Sequence, residues 1–394
     1  MFPKLRFKEF DENWKEVTLK NCITSIDSGW SPQCESYPAN SSEWGVLKTT
    51  SVDWSGFNSS FNKKLPLELT PRKEIEVKPL DILVTRAGPT ERVGVVSVVP
   101  HSVRSKLMIS DKLIRLKSNE ENNPLFLGIS LSSVKCQNQL QSKTSGLAKS
   151  QTNISQKILG EVLLKLPSKE EQTKIASFLS AVDEKISQLT KKHELLSQYK
   201  QGMMQKLFSQ QIRFKADDGS EFGEWEGKEL HQIFQIKAGG DIEKSSVSEV
   251  RTSEFSYPIF ANSDKNKGFY GWANKFKYKE AVTVTGRGNL GIAVARNEPF
   301  YPIVRLLVLL PLVKQNLKFF EEQINLLDIV SESTGVPQLT APQLSKYKVN
   351  VPSLEEQTKI ANFLSSIDQK IEVVAQQIEQ AKTWKKGLLQ QMFI

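Results

Sequence analysis

The side chains suited to metal or nucleophilic chemistry are few and scattered. Cys22, Cys34 and Cys136 form no C-x-x-C, and His101, His193 and His231 lie far apart. Neither a disulfide framework nor a zinc or iron site is expected, and the free thiols point to a reducing, cytoplasmic compartment. No G-x-x-x-x-G-K-[ST] is present to cradle a nucleoside triphosphate. "NNPLF" at 122–126 does not supply the N/D-P-P-Y/F of an amino-methyltransferase. Gly286-Arg287-Gly288-Asn289-Leu290-Gly291 satisfies G-x-G-x-x-G, but it continues as "IAVARNEPFYPI". A dinucleotide fold needs a helix there, whose N-terminus receives the pyrophosphate. The stretch reads better as a turn carrying Arg287. No cofactor, metal or catalytic group is therefore expected on this chain.

What remains is the chemistry of binding. The net charge of +9 favours a polyanionic partner. Glycine lets a backbone approach a phosphate, and Arg, Lys and short polar side chains reach phosphates and base edges. Five sets fit. They are Gly29, Trp30 and Ser31; Thr85, Arg86 and Gly88; Ser145, Gly146, Lys149 and Gln151; Gly239, Gly240 and Lys244; and Arg287 and Gly288 with Thr334, Gly335 and Gln338. A sixth is the basic run "SDKNKGFYGWANKFKYKE" at 263–280. Lys265 and Lys267 fall in its turn-like part, whereas its aromatics are expected in the core.

These loops need a scaffold, and the sequence writes it twice. "PSKEEQTKIASFLS" at 167–180 returns as "PSLEEQTKIANFLS" at 352–365, and the match extends without a gap from Pro167–Phe208 to Pro352–Phe393 at an offset of 185. Ser168 with Glu171, and Ser353 with Glu356, spell a capping box. A heptad ladder follows in each copy. The first runs Ile175, Leu179, Val182, Ile186, Leu189, His193, Leu196, Lys200, Met203, Leu207. The second runs Ile360, Leu364, Ile367, Ile371, Val374, Ile378, Ala381, Lys385, Leu388, Met392. Such stripes predict two long helices that bury their apolar seams on one another. Gly202 and Gly387 sit at equivalent places, where close backbone approach is expected.

Between the helices lie two segments that match weakly but in order. "LRF" at 5–7 precedes Trp14 as "IRF" at 212–214 precedes Trp225. "DSGWSP" at 27–32 answers "KAGGDI" at 237–242, "ILVTRAG" at 82–88 answers "VTVTGRG" at 282–288, and "SGLAKSQTNIS" at 145–155 answers "TGVPQLTAPQL" at 334–344. β-rich runs broken by Gly, Asn and Ser predict strand-rich α+β domains. The organisation is a domain at 1–165, a helix at 166–210, a domain at 211–350 and a helix at 351–394. The apolar run "PIVRLLVLLPLV" at 302–313 is too short to span a bilayer and is broken by Arg305, and "MFPKLRFKEFDENW" has no apolar signal region.

This arrangement resembles the specificity subunit of type I restriction-modification enzymes, over essentially the whole chain, and the twice-written "P-S-x-E-E-Q-x-K-I" carries the resemblance. The resemblance implies two target-recognition domains that each read half of a bipartite site in double-stranded DNA. It implies that the two helices pack antiparallel, with pseudo-two-fold symmetry, and measure the spacer. It implies partners: two methyltransferase subunits, which use S-adenosylmethionine, and two restriction motor-nuclease subunits, which use ATP and Mg. The equivalent subunit of a methylation-only assembly fits the same residues. From another class, a coiled-coil scaffold joining two protein-binding domains also fits, although the basic turns favour DNA.

Overall fold

The computed structural model describes residues 3–148, 151–329 and 338–393. It forms two compact units: Met1–Leu189 with Gln377–Ile394, and Thr190–Gln376. The unit boundaries fall inside the two long helices, Lys169–Phe208 and Leu354–Met392. Each unit therefore holds the start of one helix and the end of the other, where the sequence had suggested separate domains and rods.

In the first unit a four-stranded antiparallel sheet runs in the order Ile23–Ser28, Leu113–Ser118, Ile82–Thr85, Val96–Val98. Its central strands are apolar without alternation because both faces are covered. Ile82, Val84, Ile114 and Leu116 face a core with Phe126, Leu127 and Leu131, while Leu83 and Leu113 face a second core with Val46, Val77 and Leu107. That second core is roofed by Leu107–Met108, Gly45–Leu47 and Asn62–Lys64, the first two parallel.

The second unit repeats the plan. Its sheet order is Phe234–Ala238, Leu307–Pro311, Ala281–Val284, Ala293–Arg296. Val282, Val284, Leu307 and Leu309 pack on Phe319, Phe320 and Ile324, and Ala281 and Val308 pack on Phe300 from the other side. The apolar run at 302–313 is thus the turn and central strand of this sheet.

Within each unit, the start of one long helix packs beside the end of the other. Ile175, Leu179 and Val182 share a core with Leu388 and Met392, with Ile186 at its margin. Leu207 shares one with Ile360, Leu364 and Ile367, with Ile371 at its margin. Leu189, Val374 and Ile378 are also buried, and Leu196 and Met203 are half-buried. Near the ladder lysines are ionic partners at matching positions: Lys385 meets Asp183 at 2.5 Å in the first unit and Lys200 meets Asp368 at 2.7 Å in the second. These pairs place the helix segments antiparallel within each unit.

Two expectations at the helices change. The capping box is only half formed. The Ser168 hydroxyl accepts from the Glu171 amide (3.4 Å) and Ser353 from Glu356 (3.3 Å). The carboxylates turn inward instead. Glu171 accepts from Arg6 at 2.8 and 2.7 Å and from Trp14 at 3.4 Å; Glu356 accepts from Arg213 at 3.0 and 2.8 Å and from Trp225 at 3.0 Å. The second change concerns Gly202 and Gly387. A Cβ at either would meet nothing within 4 Å, so neither marks a close helix crossing.

Next to each buried glutamate, a glutamine grips the recognition domain. Gln172 accepts from the Asn123 amide and donates to the Pro167 carbonyl, and Gln357 does the same with Asn316 and Pro352, all at 3.0–3.1 Å. Asn123 and Asn316 in turn cap the short helices Pro124–Leu131 and Leu317–Ile324. The arms also agree in their mounting. Leu5 donates to the Gln391 carbonyl and Ile212 to the Lys206 carbonyl, again positions 185 apart.

The two seam ion pairs differ in setting. Lys200 also bonds Glu322, whose side chain is 4% exposed, and Lys318 bonds Glu321, Glu322 and Asp368. Lys385 is half-buried and its partner Asp183 is exposed, and no further ion pair joins them among the described residues. Lys200→Met is expected to cost about 1–3 kcal/mol, since it strips a bond from the buried Glu322 carboxylate and another from half-buried Asp368. Lys385→Met is expected to cost about 0–1 kcal/mol. Burial pushes the Asp368 carboxyl up, but the bond and charge of Lys200 and the charge of Lys318 outweigh it and hold it below its usual range. A depressed carboxyl stabilises above its unfolded pKa of about 3.9 and loses that contribution as pH falls. Urea midpoints from pH 7 to 3 should therefore fall less steeply in Asp368→Asn than in the wild type.

Candidate nucleic-acid interface

Strand register fixes which loops correspond. Ile114 pairs with Ser28 and Val84, and Leu307 pairs with Ala238 and Val284. Gly29 thus matches Gly239, and Thr85 matches Thr285, as the sequence alignment had them. Arg86 matches Gly286, so Arg287 stands one position further, in the place of Ala87. The glycine of each first loop is required by a close approach. A Cβ at Gly29 would lie 1.8 Å from the Ile109 carbonyl oxygen, and one at Gly239 would lie 2.9 Å from the Pro302 carbonyl.

In the first unit these loops converge. The Arg86 amide donates to the Lys112 carbonyl (2.8 Å), and the Arg86 carbonyl accepts from Ile154 (3.0 Å). The Ser31 hydroxyl bonds the Asp111 carboxylate, and Gln156 donates to the Ser28 hydroxyl at 3.0 Å. Gly88 lies in a ribbon with the strands Ser145–Ala148 and Gln151–Asn153, opposite Thr152. Ser145, Gly146 and Gln151 are thereby brought to the Arg86 turn. Lys149 lies outside the described residues. Trp30 carries the Arg72 guanidinium on its face, 4.2 Å from the ring centre.

Thr85 leaves the candidate set. It is fully buried, accepts from the Val95 amide (2.9 Å) and donates to the Arg92 carbonyl (2.5 Å). Its hydroxyl sews the turn shut, as Thr285 does through Ile292 and Asn289.

In the second unit Asn262 is the hub. Its carbonyl oxygen accepts from the Gly286 amide (2.6 Å), and its amide donates to the Arg287 carbonyl (3.1 Å). Asn289 donates to Asp264 at 2.5 Å, a bond that holds the Asp264 carboxyl below its usual range. The exposed turn of Lys265 and Lys267 is tied in this way to exposed Arg287 and Gly288, and Arg287 bridges to Gln338. Arg296 supports the Lys267 carbonyl at 2.5 Å with its guanidinium on Phe260, and burial lowers its pKa to about 10, leaving it charged at neutral pH.

Gly239 and Gly240 accept from Arg305 and Val304. Lys244 is exposed in its own short turn, and no described contact joins it to the cluster. Thr334 and Gly335 lie outside the described residues. The aromatics at 263–280 reach the core only in part: Phe269, on Phe260 and Trp272, and Tyr278, on Phe300, are half-buried, whereas Phe276, beside Tyr257, and Tyr270 are exposed.

Sequence reasoning missed Arg72, Lys112, Asn262 and Arg305. Only Arg305 left a signal, a charge inside an apolar run. The G-x-G-x-x-G at 286–291 leads into the strand Ala293–Arg296, with no helix to receive a pyrophosphate. Among the described residues no group of His, Cys, Asp and Glu could hold a metal ion, and no helix is long and apolar enough to cross a membrane.

Comparison with known proteins gives a consistent answer. The family model "Type I restriction modification DNA specificity domain" matches residues 12–197 and again 223–383. The Escherichia coli type I restriction enzyme EcoEI specificity subunit is 40% identical over 171 residues, 43% of this chain and 29% of that protein. A putative type I restriction enzyme MjaX specificity subunit of Methanocaldococcus jannaschii is 25% identical over 98% of this chain and 94% of its own length. The crystal structure of a type I restriction-modification S subunit from M. genitalium superposes with a TM-score of 0.68 at 18% identity, covering 100% of this chain and 99% of that one. That likeness establishes the fold.

Asn262→Ala would strand the Gly286 amide and untie the two basic turns. The expected cost is about 1–3 kcal/mol. It is read as a lower unfolding midpoint together with faster hydrogen exchange at Gly286. An unchanged midpoint with full protection at Gly286 would mean the turns hold without it.

Proposed function

Because the chain belongs to the type I restriction-modification DNA specificity family, we propose that each of its two domains reads one half of a bipartite DNA site. The observation that carries this reading is the repetition of one loop cluster on one sheet. Both clusters present exposed cations beside close-packed glycines, and their side chains differ. Two domains of the same build with different loop residues suit two different half-sites. Arg can reach a guanine edge by two hydrogen bonds, and Lys and backbone amides can hold phosphates.

Catalysis belongs to partner subunits in this reading. The methyltransferase subunits bring S-adenosylmethionine, and the restriction subunits bring ATP and Mg. The chain itself contributes recognition and, through its long helices, spacing. The antiparallel packing of the helix segments within each unit supports a ruler role.

Mapping methylated adenines in cells with and without this gene tests the reading. A bipartite motif that vanishes with the gene is expected; an unchanged methylation pattern would overturn it. At finer scale, Arg287→Ala should relax one half-site and Arg86→Ala the other, each by about 1–3 kcal/mol per lost base contact. Inserting four residues after Gln188 lengthens the helix by about 6 Å. It should change the spacer and leave both half-sites as they were. Altered half-sites with the original spacer would refute the ruler.

A further inference from the structure

Register counted back from Ile114 and Leu307 sets Lys112 opposite Arg305. Two backbone contacts agree with that match. The Lys112 carbonyl accepts from Arg86, and the Arg305 carbonyl lies 3.6 Å from where a Gly286 Cβ would stand. Gly29 closes on Ile109 and Gly239 on Pro302, three residues earlier in each case. Each cation therefore occupies the same place: a turn between the glycine loop and the Thr85 or Thr285 turn, just before the buried central strand. Both are exposed, and among the described residues neither side chain has a hydrogen bond or ion pair. The charged neighbour of Lys112 is Asp111, which Ser31 already bonds.

Arg305 is also held against its backbone preference. Val304 and Arg305 have φ of +53° and +58°, a region that a β-branched residue and a long side chain rarely enter. Their amides are pinned to the Gly240 and Gly239 carbonyls at 3.2 and 3.1 Å. Folding alone would favour glycine or asparagine at such a tip. The fold instead keeps a long cation there, without a polar partner among the described residues.

Resting on the DNA reading above, we infer that Lys112 and Arg305 each hold a phosphodiester of the DNA backbone and set the register of their domain on the duplex. The residues around them differ between domains, as base readers would. The cation recurs, as Lys in one domain and Arg in the other. What two different half-sites share is the backbone, and a phosphate accepts either cation where a bidentate base contact does not. These are positioning contacts, separate from the base readers.

The test uses the full chain assembled with its methyltransferase partner. Affinity is measured between 50 and 200 mM salt, on a duplex carrying the mapped site and on a scrambled one. One neutralised phosphate contributes about 0.9 to the slope of log K against log salt. Lys112→Gln and Arg305→Gln should each flatten the slope by about 0.9 on both duplexes, with half-site preference kept. Lys112→Arg and Arg305→Lys should keep the wild-type slope. Arg305→Gly removes the side chain and relieves the backbone, so the slope should fall while the unfolding temperature holds or rises. Wild-type binding with unchanged slopes in the Gln variants would overturn this inference alone, as would a loss confined to the specific duplex. A wild-type complex that ignores both duplexes would overturn the DNA reading and this inference with it.

Discussion

The structure depends on one buried carboxylate, placed twice. Glu171 and Glu356 are 1% and 0% exposed, at the first turn of a long helix. A carboxylate in that position cannot stand without partners, since removing one partner of a buried ion pair costs about 3–5 kcal/mol. Arg6 with Trp14, and Arg213 with Trp225, supply them from arms that precede each domain. The arms grip further along the same helix, through Phe7 on Phe178 and Phe214 on Phe363. Lys174 bonds Glu9 and Lys359 bonds Asp217 beside them. Three side chains of each helix start are thus committed to the arm, Glu171, Lys174 and Phe178 in one copy and Glu356, Lys359 and Phe363 in the other, and the same three residue types stand in both copies.

From that anchor the constraint passes outward. Gln172 and Gln357 hold the amides of Asn123 and Asn316, and those asparagines start the helices that cover the central sheets. Phe126, Phe319 and Phe320 on these helices pack directly on the strands. A sheet covered on both faces has no freedom to slip register, because a shift of one residue would exchange its two cores. The loops at its edge inherit that rigidity. Their side chains can then vary without disturbing the platform.

Much of this was legible in the sequence, for physical reasons. A heptad stripe is a local signal repeated many times, so both helices and their buried ladders could be read directly. The correspondences at Gly29 and Gly239 and at Thr85 and Thr285 held, since Thr and Gly at the sheet edge do the same structural work in both domains. The alignment of 145–155 with 334–344 was out of step by four: Ile154 donates to Arg86 as Leu339 donates to Gly286, where the sequence had set Ile154 against Gln343. Long-range partners were not legible. Nothing local says that Glu171 faces Arg6 rather than its own cap, and S-x-x-E fits both. Thr85 looked like a polar loop residue because burial is not written in one residue. Gly202 and Gly387 suggested a crossing that the space around them rules out. Lys112 and Arg305 were invisible as a pair because offsets differ along the chain. They align only when strand register replaces sequence spacing.

The seam shows how a duplicated frame specialises. The same lysine and aspartate positions meet in both units. In the first unit the pair stands alone at the edge of the seam, with Asp183 exposed, where it contributes little beyond register. In the second, Lys318 and Glu322 have drawn it into a buried network joined to the helix that covers the sheet. The corresponding positions of the first unit's helix are Leu125 and Ile129, both apolar and packed against the core. One domain thus docks on its helix pair by hydrophobic contact and the other partly by charge. Equivalent geometry with unlike chemistry lets each half keep its own partner helix ends. A buried ionic network accepts only a complementary surface, whereas an apolar one rejects an uncompensated charge.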